Sequence, residues 1–125
     1  MTLSREEFEN LTQQVFDALP DLFQQNMENV RIVVEDEPTH ETLRKVGLHS
    51  SASLLGLYEG VPLNKRGAWY GMYAVVPDKI SLYKRNIERG AESIEELTDR
   101  IRSVLIHEVA HYYGMSETEV REAGY

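Results

Sequence analysis

Cysteine is absent from the 125 residues of the sequence. This absence excludes disulfides, cysteine-rich zinc sites and a thiol nucleophile, so any transition-metal site must use histidine and carboxylate ligands. A chain without disulfides also suits a reducing compartment. We therefore expect the protein to work in the cytoplasm.

Positive charge is scarce as well, since 13 lysines and arginines stand against 21 aspartates and glutamates, with a formal net charge of -8. This excess of negative charge repels a phosphate backbone, so we expect no nucleic-acid partner. Long apolar runs are also missing, because no stretch approaches the roughly 18 residues that cross a bilayer. The first residues lack the basic start and apolar run of a signal peptide. We expect neither a membrane anchor nor export.

The length and composition fit one ordinary domain. Hydrophobic residues make up 42% of the chain and charged residues 27%, which is typical of a globular protein. No internal repeat, low-complexity tract or linker is visible. We therefore assign residues 1–125 to a single domain, whose active site is built from this chain alone or completed by a partner.

The first predicted element is an amphipathic helix, because apolar residues recur at spacings of three and four. Ser4 and Glu7 form a capping box at its start, and Pro20 marks a break at its end. A short helix is also predicted over residues 39–46, closed by Gly47. The apolar positions of the first helix are Phe8, Leu11, Val15 and Leu19.

Strands are predicted in the middle of the chain. The β-branched run Val30–Glu35 and the apolar residues 54–59 each predict one strand. Residues 73–76 and 80–83 predict a hairpin around a turn at residues 77–79.

A glycine-rich segment, residues 60–71, predicts a long loop that carries Trp69. Such a loop can form one wall of a substrate cleft. More often it packs its tryptophan onto the core, and we favour that interpretation.

A long helix is predicted over residues 94–113, where an apolar stripe continues into the sequence IHEVAHYYG. Ser93 and Glu96 form a capping box at its start, and Gly114 ends it. A further capping signature, beginning at Ser116, predicts a short terminal helix. The stripe consists of Ile94, Leu97, Ile101, Val104 and Leu105.

This long helix carries His107 and His111, which lie four residues apart and therefore on one face. Their imidazoles can converge on one zinc ion, and a catalytic zinc site has three protein ligands and one open position for water. Glu108 lies about 100° around the helix from His107, so its carboxylate can reach that water without being a ligand. This is the position of a general base.

The same three residues could instead form a solvated polar face or a pair of hydrogen-bonded buried imidazoles. Their neighbours are apolar, however, so polar side chains among them need a partner. The motif also lies on a predicted helix, which is the context that favours a zinc site. The apolar neighbours are Val104, Leu105, Ile106, Val109 and Ala110.

The third ligand is predicted to be a carboxylate beyond the helix. Gly114 allows the chain to turn back, and Glu117 then stands where the metzincin pattern HExxHxxGxxH has its last histidine. An acidic residue at the start of a helix also favours the helix dipole without any metal. We predict Glu117 as the ligand and keep Glu119 and Glu122 as alternatives, since zinc accepts a carboxylate oxygen from any of them.

With these motifs the sequence resembles the small bacterial zincin-like metallopeptidases, sometimes described as minimal metzincin-like proteins. The resemblance covers nearly the whole chain. It rests on the first helix with its end at Leu19 and Pro20, and on VVEDEP at 33–38, LLGLYEGVPL at 54–63, PDKISLY at 77–83, Ile87-Glu88-Arg89 and HEVAHYYGMSE at 107–117.

The resemblance implies an α+β fold in which a small mixed β-sheet packs against an N-terminal helix and the C-terminal HExxH helix. It also implies one metal ion per chain, most simply Zn²⁺. Full metzincins place a methionine-containing turn well after the third ligand, whereas here residues 118–125 follow Glu117 and Met115 precedes it. The chain departs from them in this support beneath the metal.

The leading functional hypothesis is a zinc-dependent peptidase with Glu108 as general base and a peptide or protein as substrate. An extended peptide would pair with an exposed strand edge, at residues 80–83 or residues 54–59. The alternative is a binding or regulatory module that its metal merely stabilises, although such a site has no use for Glu108. A small metal-dependent ribonuclease is disfavoured by the negative charge. The candidates to stabilise an oxyanion are Tyr112, Tyr113 and Tyr125.

Overall fold

Helices and a small sheet make up the fold in a computed structural model, which describes residues 1–25, 27, 29–67 and 78–124. The strands in these residues are β1 (Val30–Glu35), β2 (Gly56–Glu59) and β3 (Asp78–Tyr83). The helices are α1 (Arg5–Asp17), α2 (His40–Val46), α3 (Lys84–Arg89), α4 (Ile94–Tyr112) and α5 (Glu117–Glu122). Single turns of 3-10 helix lie at Asp21–Phe23, Ser51–Ser53 and Leu63–Lys65.

The sheet has the strand order β1-β3-β2, so β3 is its central strand. β1 runs parallel to β3, with Val30 opposite Asp78, and β2 runs antiparallel to it, with Gly56 opposite Leu82. Ile80 and Leu82 of β3 are fully buried, as expected for a strand that has a neighbour on each side. The mixed sheet and the α+β class are therefore confirmed.

The predicted hairpin is wrong in the part that the structure describes. Asp78 and Lys79, expected in a turn, lie within β3. Both sides of residues 80–82 are paired, one with β1 and the other with β2. Local propensity favours a turn at this sequence, but the buried side chain of Asp78 makes tertiary contacts that override it. Residues 73–76, the other half of the hairpin, lie outside the described residues.

The helix ends follow the capping patterns of the sequence. Ser4 and Glu7 form both bonds of the capping box on α1, and the predicted capping bond also begins α4. The short helix predicted over residues 39–46 is present as α2. α3 follows β3 directly, where the sequence predicts no helix, and β2 begins at Gly56 rather than at residue 54. In the described parts of the chain, no helix combines the length and apolar character needed to cross a membrane.

The core forms where α1 and α4 pack against each other and against the sheet. Their apolar stripes supply most of its side chains, and complete burial of each large one stabilises the fold by about 1.5–3 kcal/mol. Fully buried core residues are Phe8, Ile80, Leu82, Ile87, Leu97, Ile101, Leu105 and Val109.

Gly56 lies where β2 passes the C-terminal half of α4. A Cβ atom at this position would lie 2.6 Å from Cγ1 of Val104 and 3.3 Å from Cγ of Glu108. A residue without a side chain is therefore needed here for the strand to approach the helix this closely. The glycine sets the distance between β2 and the HExxH motif.

Candidate metal centre

His107 and His111 lie on one face of α4, as their spacing predicts. Their ring centroids are 4.8 Å apart, and the ring planes meet at 81°. The Nε2 atom of His107 lies 3.0 Å from Oε1 of Glu117, and the Nε2 atom of His111 lies 2.9 Å from the same oxygen. Three candidate zinc ligands therefore meet at one point.

The turn after α4 brings Glu117 back to the histidines. Gly114 has a φ of 95°, a left-handed conformation that residues with a side chain rarely adopt. The N–H of Met115 then donates to the carbonyl of Ala110 at 3.1 Å. α5 begins immediately afterwards, with Ser116 as its N-cap and Glu117 as its first residue. The chain thus reverses at the glycine where the sequence predicts that it does.

The two alternative carboxylates have different surroundings. Oε1 of Glu119 accepts a hydrogen bond of 3.1 Å from the N–H of Ser116, which completes the capping box of α5. Glu122 is exposed at the end of α5. Of these three glutamates, Glu117 is the one that the described contacts bring to the histidines.

The ring of His111 is also fixed on its other side. Its Nδ1 lies 2.9 Å from the carbonyl oxygen of Met115, so we assign the ring proton to Nδ1, which donates to this carbonyl. The lone pair of Nε2 then faces a carboxylate oxygen, and these two groups repel each other unless a cation or proton lies between them. Two imidazoles and a carboxylate in this arrangement fit the ligand set of a zinc site with one open position.

Glu108 lies on the side of α4 that faces β2. Its Oε1 accepts a hydrogen bond of 2.9 Å from the main-chain N–H of Tyr58. Candidate ligand atoms of His107, Glu108 and His111 all lie within 4.8 Å of one another. The carboxylate is therefore close to the metal position while the strand holds one of its oxygens.

The two carboxylates of the site differ in their ionisation. When the histidines carry a proton on Nε2, their hydrogen bonds, that of His107 first and then that of His111, hold the pKa of Glu117 below its usual value, and 57% of this side chain is exposed. Glu108 is only 7% exposed, and burial raises its pKa, although the nearby His111 and His107 act in the opposite direction. A readily ionised carboxylate suits a metal ligand, whereas one with a raised pKa suits a proton acceptor near neutral pH.

Two clefts meet at these residues, and both border Glu108 and β2. The first has a volume of about 350 Å³ and reaches His107, and the second has a volume of about 550 Å³ and reaches His111. Their walls include Leu54, Gly56 and Val104 in the first cleft, and Tyr58, Pro62 and Lys65 in the second.

The glycine-rich segment after β2 therefore contributes to a cleft wall through Pro62 and Lys65. Of the two interpretations of that segment, a cleft wall or a loop that packs its tryptophan on the core, the sequence favours the second. Trp69, which was expected to pack on the core, lies outside the described residues.

The tyrosines considered as oxyanion stabilisers have other surroundings. Tyr112 is fully buried, and the hydroxyl oxygen of Tyr113 lies 2.7 and 2.6 Å from the carbonyl oxygens of Leu22 and Gln25, which share its single proton. Tyr125 lies outside the described residues.

Three residues that shape the site are missed by the sequence reasoning. Tyr58 holds Glu108 through its main chain, and its hydroxyl donates to Asp78, which also pairs with Arg66. One signal was available, because Asp78 is a charged residue directly before the apolar run of β3. Its partners could not be inferred, since these contacts join distant parts of the chain.

The fold and the meeting of two histidines with two glutamates define a small α+β protein with the HExxH arrangement of zinc peptidases. A family model described as zincin-like metallopeptidase matches residues 27–125. The chain therefore belongs to the zincin-like metallopeptidase family, as its resemblance predicts, and this family implies zinc. Among curated proteins no relative matches the chain.

Proposed function

We propose that this protein is a zinc-dependent peptidase in which His107, His111 and Glu117 bind one zinc ion. The observation that carries the proposal is the approach of both Nε2 atoms to one oxygen of Glu117, at 3.0 and 2.9 Å, beside the buried carboxylate of Glu108. A purely structural zinc site closes all its positions and has no need of such a carboxylate. Membership of the family supports the same function.

Glu108 acts as the general base in this proposal. When bound, zinc polarises the scissile carbonyl and makes a water molecule more acidic. Glu108 accepts a proton from the attacking water, and the same carboxyl then protonates the leaving amine nitrogen. Because the N–H of Tyr58 holds Oε1, Oε2 is the oxygen that takes the proton. Burial raises the pKa of Glu108 and so makes it a stronger base.

The substrate is a peptide or protein segment that pairs with the edge of β2 that has no strand beside it among the described residues. The carbonyl of Leu55 accepts a hydrogen bond of 3.0 Å from Tyr83 of β3. Residues alternate along an antiparallel strand, so the main-chain groups of Gly56 and Tyr58 point away from β3. The N–H of Tyr58 is held by Glu108, so the substrate would pair with the main-chain groups of Gly56 and the carbonyl of Tyr58. Gly56 also lines the cleft that reaches His107. An extended peptide added at this edge would therefore lie beside the metal position.

The other predicted edge, residues 80–83, is not available for this pairing. β3 has β1 on one side and β2 on the other over these residues. This part of the prediction is wrong because an apolar run indicates a buried strand without indicating whether it is central or at an edge.

A module stabilised by its metal is the second candidate function. The observation that favours it is the small size of α5, which has six residues and a single buried side chain, Val120. Such a helix gains much of its stability from a ligand that ties it to α4. In this alternative the zinc holds Glu117 and the turn in place without any hydrolysis.

We also propose that residues 1–125 form one domain and that nucleic acid is not a partner. One apolar cluster includes buried residues of α1, β1, β3, α3 and α4, which supports a single core. The formal net charge of -8 supports the second point.

Metal analysis of the purified protein, combined with a cleavage assay on a diverse peptide library, tests the proposal. We expect one zinc per chain in the wild type and little zinc in His107→Ala and His111→Ala. Glu108→Gln should keep its zinc and cleave at least about 10²-fold more slowly than the wild type. Zinc at wild-type stoichiometry in either histidine variant would refute the ligand assignment. Zinc without cleavage in the wild type would favour the metal-stabilised module.

A further inference from the structure

A buried ion pair lies next to Tyr58, apart from the candidate metal ligands and Glu108. Nη2 of Arg66 is 2.6 Å from Oδ2 of Asp78, and the two side chains are only 11% and 1% exposed. Arg66 also donates through Nε to the carbonyl of Val61 at 3.0 Å, and through Nη1 to the hydroxyl of Tyr112 at 3.4 Å. Its guanidinium lies over the ring of Tyr112, 5.1 Å from the centroid. The pair thus joins the loop after β2 to the residue that follows His111.

Tyr58 connects this pair to the general base. Its hydroxyl donates to Oδ2 of Asp78 at 2.6 Å, while its main-chain N–H donates to Glu108. Burial, followed by the hydrogen bond to Asp78, raises the pKa of the Tyr58 phenol above its ordinary value, so this hydroxyl remains a donor. The ring of Tyr58 also packs edge-on against Tyr112, with centroids 5.8 Å apart. One residue therefore contacts both the ion pair and the carboxylate that takes the proton.

The loop held by Arg66 also touches the turn that carries Glu117. A side chain at Gly114 would collide with the amide of Asn64, so this loop residue lies directly against the turn. At the other end of the loop, the carboxyl of Asp78 occupies the space that a side chain at residue 60 would need. Oδ1 of Asp78 also accepts a hydrogen bond of 3.4 Å from the N–H of Val61. The loop is thus fixed at Asp78 and in contact with the turn at Gly114.

We propose that Arg66 and Asp78 are positioning residues of this site, which hold Tyr58 against Glu108 and the loop of residues 60–66 against the Gly114 turn. The inference rests on the proposed metal site for its functional meaning. It gives the chain a support for the metal centre that comes from the loop after β2. The described contacts of Arg66 and Asp78 are with Tyr58, Tyr112 and the loop rather than with the histidines, so each residue acts through Tyr58, Tyr112 or the turn.

The chain offers a matched control in a second buried ion pair. Nζ of Lys84 lies 3.0 Å from Oε1 of Glu88 in α3, with side chains 9% and 5% exposed. Arg66→Met and Lys84→Met each remove one buried cation and retain an apolar stem, so both should lower global stability. Only Arg66→Met should also change the site.

Amide hydrogen exchange at Tyr58, followed by NMR in the metal-free protein, measures the positioning directly. In Arg66→Met we expect this amide to exchange about tenfold faster or more, after correction for the change shared by the amides of β1 and β3. In Lys84→Met all these amides should change together. Zinc affinity, measured by competition with a chelator, should fall about tenfold in Arg66→Met and stay within about twofold of the wild type in Lys84→Met.

Equal behaviour of the two variants in both measurements would overturn the proposal and leave Arg66 with a purely structural role. If Arg66→Met does not fold, Tyr58→Phe removes only the hydroxyl that donates to Asp78. The same selective change at residue 58, of smaller size, is then expected, and an unchanged amide would overturn the proposal. A wild-type protein that binds no zinc would refute the proposed function, while the exchange measurement, made without metal, would still decide the role of Arg66.

Discussion

Both halves of α4 bury apolar side chains, but the C-terminal half also carries two histidines and buries a carboxylate. Leu97 and Ile101 are fully buried in the core, and Glu108 is nearly as buried at 7% exposure. Burial of an isoleucine stabilises the fold, but burial of an ionisable group costs free energy unless that group is paired. The comparison indicates that α4 contributes to the core along its whole length and gives up some stability at its C-terminal end, where the proposed site lies.

The largest effect is expected on catalysis, from a substitution in the C-terminal half of α4. Glu108→Gln retains the size and the hydrogen-bond acceptor of the side chain but accepts no proton, so kcat on a cleaved peptide should fall roughly 10²- to 10⁴-fold. Zinc content should stay at the wild-type level. Cleavage at the wild-type rate by this variant would contradict the role of Glu108 and the contrast between the two ends.

A substitution in the N-terminal half of α4 should lower the stability of the fold and leave zinc binding unchanged. Ile101→Ala removes a fully buried side chain, so the free energy of unfolding should fall by about 2–5 kcal/mol. Urea denaturation of the metal-free protein provides the measurement. Zinc affinity of the folded variant should remain close to that of the wild type, and a large loss of affinity would show that the two ends are coupled.

A third prediction concerns the ligand supplied by the turn. Glu117→Ala should weaken zinc binding about 100-fold, because it removes the carboxylate that both histidines approach. Glu119→Ala is the control, since this glutamate caps α5 and should mainly reduce helix stability. A greater loss of zinc in Glu119→Ala than in Glu117→Ala would show that the ligand assignment is wrong.

The smallest effect tests how much the buried carboxylate of Glu108 lowers the free energy of unfolding. The folded-state pKa of Glu108 is raised above the ordinary value of 4.5. Its contribution to stability is therefore present below about pH 4.5 and is lost as pH rises through the folded-state pKa. Metal-free Glu108→Gln should be more stable than the wild type at pH 7, on the order of 1 kcal/mol.

Urea denaturation at pH 7 and at pH 4 checks this sign. The difference between the variant and the wild type should shrink at pH 4, where Glu108 is mostly protonated in both the folded and the unfolded chain. A variant that is less stable at pH 7, or a difference that does not depend on pH, would contradict the interpretation.

Local patterns in the sequence predict the motif helix and its ends well, because the capping bonds and the His107–His111 spacing depend on residues within a few positions of each other. The turn at Gly114 is predicted for the same reason. These local features are sufficient to bring Glu117 towards the histidines.

Contacts between distant segments are not predictable in this way. The hydrogen bond from Tyr58 to Glu108 joins two elements that are 50 residues apart in the chain. Asp78 lies in a segment whose local propensity favours a turn, yet it is buried in a strand by partners elsewhere. The central position of β3 also depends on pairing that no single segment encodes.

The hydrogen bond between Nδ1 of His111 and the carbonyl of Met115 has a consequence for how the proposed site would gain and lose a metal ion. An imidazole that is already oriented gives up no rotational freedom when a cation arrives, because that conformational entropy is lost when the chain folds. The orientation depends on the turn at Gly114, which therefore has to be formed before the ring is ready. On heating, we expect fraying of this turn and release of the metal to occur as one event, well before the N-terminal half of α4 unfolds.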